Sequence, residues 1–177
     1  GAGEFATRQV LAAYGMSYDW IKQHGGHVRH IGRPATVSAF QDGTADAWIH
    51  TVDYGHPIVT ELTTVTTVRM LPLSNEAIDK LVAQGWERAV VPPNTFKGQT
   101  APVPTVSTRT NLFASADLPE GLAYTLTKLL VEKRTELVKV HAALKDFDPA
   151  RAADPVLVGC QLHAGAERYY REKGLLK

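Results

Sequence analysis

The sequence has little cysteine, no long apolar run and no cluster of charge of one sign. Its one cysteine, Cys160, excludes an internal disulfide and any metal site built from several cysteines. No apolar run reaches the roughly 20 residues that cross a bilayer, and no signal peptide is present. The 19 basic and 18 acidic residues are spread along the chain. No basic run would follow a phosphate backbone, so nucleic acid is not an expected partner.

The sequence also lacks the short motifs that mark common active sites. It contains neither an HExxH zinc motif nor a GxSxG nucleophile turn. On a strand, His27 and His30 would point to opposite faces and would not converge on a metal. We therefore predict no catalysis, no metal and no cofactor. Cys160 is interpreted as an inert, semi-buried thiol.

The chain begins with GAGEF and has no initiating methionine. We interpret it as a fragment of a longer protein, and the patterning of its second half supports this. Residues 105–177 contain one predicted strand and several amphipathic helices, which cannot form a sheet layer by themselves. We expect the missing strands to precede Gly1.

The first half alternates helix and strand patterns, which is typical of an α/β layer with a largely parallel sheet. Helices are predicted at residues 4–13, 17–22, 34–41, 57–62 and 74–84, and strands at 27–31, 45–51, 66–73 and 88–91. Residues 92–104 carry four prolines and one glycine, which indicates a crossing segment. A strand at 105–114, a helical region at 119–147 and a final helix stopped by Gly174 are predicted after it.

The opening glycine turn is a candidate ligand site. Gly1 and Gly3 lead into a helix whose first N–H groups suit a carboxylate or phosphate. Glu4 places its own carboxylate there, where it would cap those N–H groups and compete with an anion. An ordinary glycine turn before a helix is the alternative.

A second candidate is the loop that follows the predicted strand at residues 45–51. Thr51, Tyr54 and His56 bring hydroxyl, phenol and imidazole groups to the carboxyl end of that strand. Open α/β sheets bind their ligands at such ends. An ordinary connection between strand and helix is again the alternative.

Taken in order, several segments resemble a known family. They are GMSYDWI, SAFQDGTADAWIHT followed by GHP, RMLPLSNEAIDKL, VVPPNTFKGQTAPVPTVSTRTNLFAS, LAYTLTKLLVEKRTELVKVHAALKDF and LHAGAERYYREKG. The sequence is similar to the TAXI family, the solute-binding proteins of tripartite ATP-independent periplasmic (TRAP) transporters. The resemblance covers essentially the whole chain and corresponds to the latter two-thirds of a family member.

The resemblance implies an α/β fold of the type II periplasmic-binding-protein kind. Residues 1–95 would form one near-complete α/β ligand-binding lobe, and residues 96–104 the crossing or hinge segment. Residues 105–177 would be a partial, mostly helical return to the other lobe, ending in long helices.

The resemblance also implies a function. The protein would be an extracytoplasmic, periplasmic receptor that captures a small organic anion, such as an amino acid or a dicarboxylate, by lobe closure. It would deliver this ligand to the membrane permease of a TRAP transporter, without catalysis, without a cofactor and without spanning the membrane itself. The alternatives are a ligand sensor of the same fold, a histidine-dependent hydrolase that depends on His56, and a truncated product that binds nothing.

The implied site residues follow from the matching segments. The ligand-binding residues would be Gly3, Glu4, Phe5, Thr51, Tyr54 and His56, and the hinge residues Thr95, Phe96 and Gln99. In the glycine turn, Glu4 replaces a small hydroxyl residue of the family and Phe5 stands where an acid is usual. These departures indicate a different or less acidic ligand.

Overall fold

The computed structural model describes residues 1–176, and the chain folds as two compact units. The first unit spans Gly1–Thr108 and the second begins at Arg109. The expected partial lobe at residues 105–177 ends in Lys177, which lies outside the described residues. Each unit has its own buried core, so each is described separately.

The first unit contains five helices and two strands among its described residues. They are α1 (Ala2–Ala13), α2 (Tyr18–Gln23), α3 (Arg33–Gln41), α4 (Pro57–Val65), α5 (Asn75–Val82), β1 (Glu87–Val91) and β2 (Val103–Ser107). All five predicted helices of this region are confirmed. Local capping explains their starts: the Ser17 hydroxyl accepts the N–H of Trp20 at 3.1 Å, and the Ser74 hydroxyl accepts that of Ala77 at 3.2 Å.

The predicted parallel sheet is wrong. Within residues 1–176 the sheet consists of β1 and β2, which pair antiparallel with Glu87 opposite Ser107 and Val91 opposite Val103. The segments 27–31, 45–51 and 66–73 run outside this ladder, and the strand predicted to reach residue 114 ends at Ser107. An apolar run indicates an extended segment, but it does not provide the neighbouring strand that a ladder requires.

Two clusters of buried side chains form the core of the first unit. One combines Val59, Val91, Phe96 and Val103, and the partly buried Trp48, Val52 and Met70 pack against it. The other combines Ala13, Ala77 and the fully buried Leu81, with Val10, Leu73, Trp86 and Val106 around it. Four apolar residues of segments 45–52 and 66–73 therefore pack against a core even though their backbones form no ladder: Trp48, Val52, Met70 and Leu73.

The second unit is helical throughout its described elements. These are α6 (Glu120–Glu132), α7 (Arg134–Val140), a 3₁₀ helix (Ala142–Asp146), α8 (Pro149–Ala152), α9 (Pro155–Val158) and α10 (Ala164–Glu172). The predicted helical region at 119–147 and the final helix are confirmed. Cys160 is exposed, so its semi-buried placement was wrong. It lies in the short connection between α9 and α10, which carries no core residue at that position.

Helices α6 and α10 form the main contact of the second unit. Tyr169 on α10 is completely buried and packs edge-on against Tyr124 of α6, with ring centroids 5.4 Å apart. The Tyr124 hydroxyl donates a hydrogen bond to Glu172 at 2.6 Å. Gly165 lies where the two backbones meet most closely, because a Cβ there would stand 2.2 Å from the Glu120 carbonyl oxygen.

Candidate functional site

The first half of α1 rests on the extended segment that carries Ile49 and His50. The Thr7 hydroxyl lies within hydrogen-bond distance of two carbonyl oxygens, that of Gly3 at 2.8 Å and that of Ile49 at 3.1 Å. The His50 ring lies against Gly3, where a Cβ would stand 2.6 Å from Nε2. Glycine at position 3 therefore allows the helix to approach this segment closely.

The second half of α1 is fixed to α5. The Lys80 ammonium donates to the carbonyl oxygen of Ala13 at 3.1 Å, and the Tyr14 hydroxyl accepts the N–H of Ser74 at 2.9 Å. A cation at the carbonyl end of a helix is favourable because it opposes the helix dipole. Because both halves of α1 are fixed in this way, Phe5 lies against Trp86. Trp86 follows the turn at the end of α5.

Phe5 and Trp86 form an aromatic pair at the surface of the first unit. Their rings are nearly parallel, with an interplanar angle of 12° and centroids 6.4 Å apart. Phe5 remains 57% exposed despite this contact.

This pair lines a cleft of about 230 Å³. The lining residues are Ala2, Phe5, Thr51, Gln84, Gly85, Trp86 and Thr108. None of these side chains is charged, and Thr51, Gln84 and Thr108 supply hydrogen-bonding groups. The structure thus brings together two of the expected ligand residues, Phe5 and Thr51, which are separated by 46 positions in the sequence.

Glu4 does not cap the start of α1, contrary to our expectation. Its carboxylate forms an ion pair with Arg8 one turn further along, and no side chain caps the helix at Gly1. The hydrogen bond from Arg8 lowers the pKa of the Glu4 carboxyl below its ordinary value of 4.5. The Arg8 guanidinium also lies over the Tyr18 ring, 5.1 Å from its centroid. The Arg8 guanidinium offsets the negative charge of the Glu4 carboxylate. The carboxylate therefore repels an anion near the start of α1 less strongly than an unpaired carboxylate would.

Tyr54 and His56 make contacts of their own around the start of α4. The Tyr54 hydroxyl donates to the carbonyl oxygen of Val90 in β1 at 3.1 Å. The Nδ1 of His56 accepts the N–H of Ile58 at 3.2 Å and so caps the helix. Neither residue lines the cleft around Phe5 and Trp86. Gly55 between them has a φ of +72°, a conformation that favours glycine.

The three expected hinge residues lie in the connection between β1 and β2. The Gln99 amide donates to the carbonyl oxygens of Pro92 at 2.9 Å and Ala101 at 2.6 Å, while its oxygen accepts the N–H of Thr95 at 3.1 Å. Phe96 is buried in the core cluster of Val59, Val91 and Val103. The Gln99 amide and the Phe96 ring therefore stabilise the conformation of this loop.

Sequence reasoning missed Trp86, Gln84 and Thr108 as cleft residues. Gly85 follows the helix predicted at residues 74–84, and an aromatic residue directly after that glycine was the available signal. No sequence signal pointed to Thr108, because its place in the cleft depends on the pairing of β2 with β1. His50 was not among the expected site residues, but its ring packs against α1 at Gly3.

Two features of other classes of protein are absent from the described residues. Among residues 1–176 no three histidine, cysteine or acidic side chains come together as metal ligands. No helix within the same range has the length and apolar character needed to cross a membrane.

A cleft lined by uncharged polar groups and aromatic rings is a candidate small-molecule binding site. The comparison of the sequence with protein families agrees with this class. The chain belongs to the NMT1-like family, whose model matches residues 1–174. This family is of the periplasmic-binding type, and the match supports a substrate-binding protein; such proteins are typically extracytoplasmic.

Proposed function

We propose that this protein is the solute-binding receptor of a TRAP transporter of the TAXI kind. It captures a small organic anion, such as an amino acid or a dicarboxylate, in the periplasm and delivers it to the membrane permease. The observation that carries the proposal is the match of residues 1–174 to a family of periplasmic-binding type. The resemblance of the segments from GMSYDWI to LHAGAERYYREKG supports a receptor of the TAXI kind.

The ligand-binding residues of this proposal are Gly3, Glu4, Phe5, Thr51, Tyr54 and His56. Tyr54 and His56 rest on the resemblance alone, because they lie outside the cleft around Phe5 and Trp86. Support for Phe5 and Thr51 comes from their place in one cleft. Gly3 contributes by letting α1 approach His50 closely, which sets the position of Phe5. Glu4, paired with Arg8, acts through the charge at the start of α1.

The mechanism is closure of one lobe on another around the ligand. The resemblance assigns residues 1–95 to one lobe, residues 96–104 to the hinge segment and residues 105–177 to part of the other lobe, whereas the compact first unit of the structure continues to Thr108. Thr95, Phe96 and Gln99 act as hinge residues, and the Gln99 amide keeps the segment's shape while the lobes move. The ligand favours the closed form only by the difference between its affinities for the two forms.

Titration calorimetry on the 177-residue chain tests the proposal. The panel contains glutamate, glutamine, 2-oxoglutarate and succinate, and at least one of them binds. His56→Ala weakens that binding, whereas His141→Ala leaves it unchanged. The two variants are matched, because His141 also caps a helix by accepting an N–H at Nδ1, here that of Ala143 at 3.3 Å.

Two results would contradict the proposal. If no compound of the panel gives a binding heat, an amino acid or dicarboxylate of this kind is not the ligand. If the chain instead turns over an ester or amide and His56→Ala abolishes that turnover, it is a hydrolase. Equal weakening by His56→Ala and His141→Ala would remove His56 from the site and leave the receptor function in place.

A further inference from the structure

We propose that the cleft beside α1 binds the ring of an aromatic carboxylic acid, with that ring lying against Phe5 and Trp86. This inference rests on the proposed function, since it names the class of organic anion. It follows from three features of the cleft: its aromatic pair, its lack of charged side chains and its hydrogen-bonding groups.

The aromatic pair is placed for a planar partner. Phe5 and Trp86 are nearly parallel, with an angle of 12° between their planes. Aromatic rings favour offset-stacked or edge-on arrangements with a neighbouring ring. The 57% exposure of Phe5 leaves much of its surface accessible to such a ring.

The position of the pair is fixed before any ligand arrives. The Trp86 side chain packs against the core cluster of Ala13, Ala77 and Leu81, and the backbone N–H of Trp86 donates to the Leu81 carbonyl at 3.2 Å. Phe5 lies on α1, which is fixed to the rest of the unit at both ends. A preorganised surface loses less conformational entropy on binding than a mobile one does.

The charges around the cleft favour one acid group over two. No lining side chain is cationic, so each carboxylate of a ligand must be held by hydrogen bonds alone. A single carboxylate is matched by the hydroxyls of Thr51 and Thr108 and by the Gln84 amide, which donate hydrogen bonds. A dicarboxylate or glutamate would place a second charge against the apolar rings, where desolvation opposes it.

Titration calorimetry with matched acids on the 177-residue chain tests this inference. Phenylacetate and cyclohexylacetate carry the same carboxylate on a six-membered ring, planar in the first and saturated in the second. Phenylacetate binds more tightly than cyclohexylacetate or succinate, because only a planar ring stacks. Apolar burial alone would favour the saturated ring at least as strongly, so the order of the two affinities separates the causes.

Substitutions inside and outside the cleft test whether phenylacetate binds there. Phe5→Ala weakens phenylacetate binding by about three- to tenfold. Phe5→Leu weakens it too, because leucine keeps the apolar character and loses the planar face. Phe113→Ala is the matched control, since Phe113 is 73% exposed and lies outside the cleft lining; it leaves the affinity unchanged. Thermal unfolding of each variant confirms that it is folded.

The possible outcomes separate this inference from the proposed function. Binding of glutamate or succinate without binding of phenylacetate overturns the inference and leaves the receptor function standing. An equal effect of Phe5→Ala and Phe113→Ala also overturns it. Absence of binding for every acid overturns both.

Discussion

The His50 ring occupies the space that a side chain at position 3 would need. A Cβ added to Gly3 would stand 2.6 Å from His50 Nε2. The ring is not free to move aside without loss, because its Nδ1–H donates to the Thr51 carbonyl at 2.7 Å and its plane packs against Trp48. This contact connects the start of α1 to the segment that carries Thr51.

Gly3→Ala therefore destabilises the first unit. The expected loss is about 1–3 kcal/mol in the free energy of unfolding, the usual range for an overpacked contact. Denaturation by urea measures it. Gly1→Ala is the control, because nothing lies within 4 Å of a Cβ there. His50→Ala in the Gly3→Ala background recovers part of the loss; no recovery would show that the contact is not the cause.

Gly165→Ala has a larger effect in the second unit. Its Cβ would stand 2.2 Å from the Glu120 carbonyl oxygen and 2.7 Å from the Tyr124 nitrogen, both backbone atoms that cannot rotate away. We expect a loss of about 3 kcal/mol or more, measured by thermal unfolding. Gly121→Ala meets no atom within 4 Å and raises the helical preference of α6, so it stabilises by about 0.5 kcal/mol. Similar effects of the two changes would refute the close approach of α6 and α10.

Gln99→Ala loosens the connection between β1 and β2. The change removes the donors to the Pro92 and Ala101 carbonyls and the acceptor for the Thr95 N–H. The expected loss is about 1–3 kcal/mol, with faster amide exchange of residue 95. Lys97→Ala, at an exposed position of the same loop, serves as the comparison. Unchanged exchange at residue 95 would mean that the Gln99 amide does not hold the loop.

The ion pair between Glu4 and Arg8 gives a pH dependence. Because the folded-state pKa of Glu4 lies below its ordinary value of 4.5, the pair stabilises the protein above that pH. This contribution is lost as the pH falls through the lowered pKa. Arg8→Gln raises the pKa of Glu4 towards 4.5, as an NMR titration of the Glu4 carboxyl carbon would show. An unchanged pKa in that variant would assign the shift to another cause.

Most of the helices could be predicted because their signals are local. Ser17 and Ser74 each accept an N–H three residues ahead, and Pro34 and Pro57 fall in the first turn of their helices. Glycines at the ends act within the same few residues. Such features need no knowledge of what the helix packs against.

The sheet and much of the cleft could not be predicted because they depend on distant partners. The run 45–51 looks like a buried strand, yet Trp48 reaches the core from an unpaired backbone. Likewise, Phe5 and Thr51 were predicted as ligand residues from the sequence. The place of Trp86 beside Phe5 follows only from the packing of α1 against α5. Local sequence patterns predicted the helices, whereas tertiary packing decides which extended segments pair as strands and which residues meet in the cleft.

Thermal unfolding of the 177-residue chain, with and without each organic acid of the two panels, tests the receptor function most directly. A ligand at a hundred times its dissociation constant adds about 2.7 kcal/mol to the stability of the folded form. For a chain of this length that corresponds to a rise of about 5–10 °C in the midpoint. The account predicts such a rise for at least one acid and its reduction by Phe5→Ala. A cooperative transition that no acid shifts would contradict it.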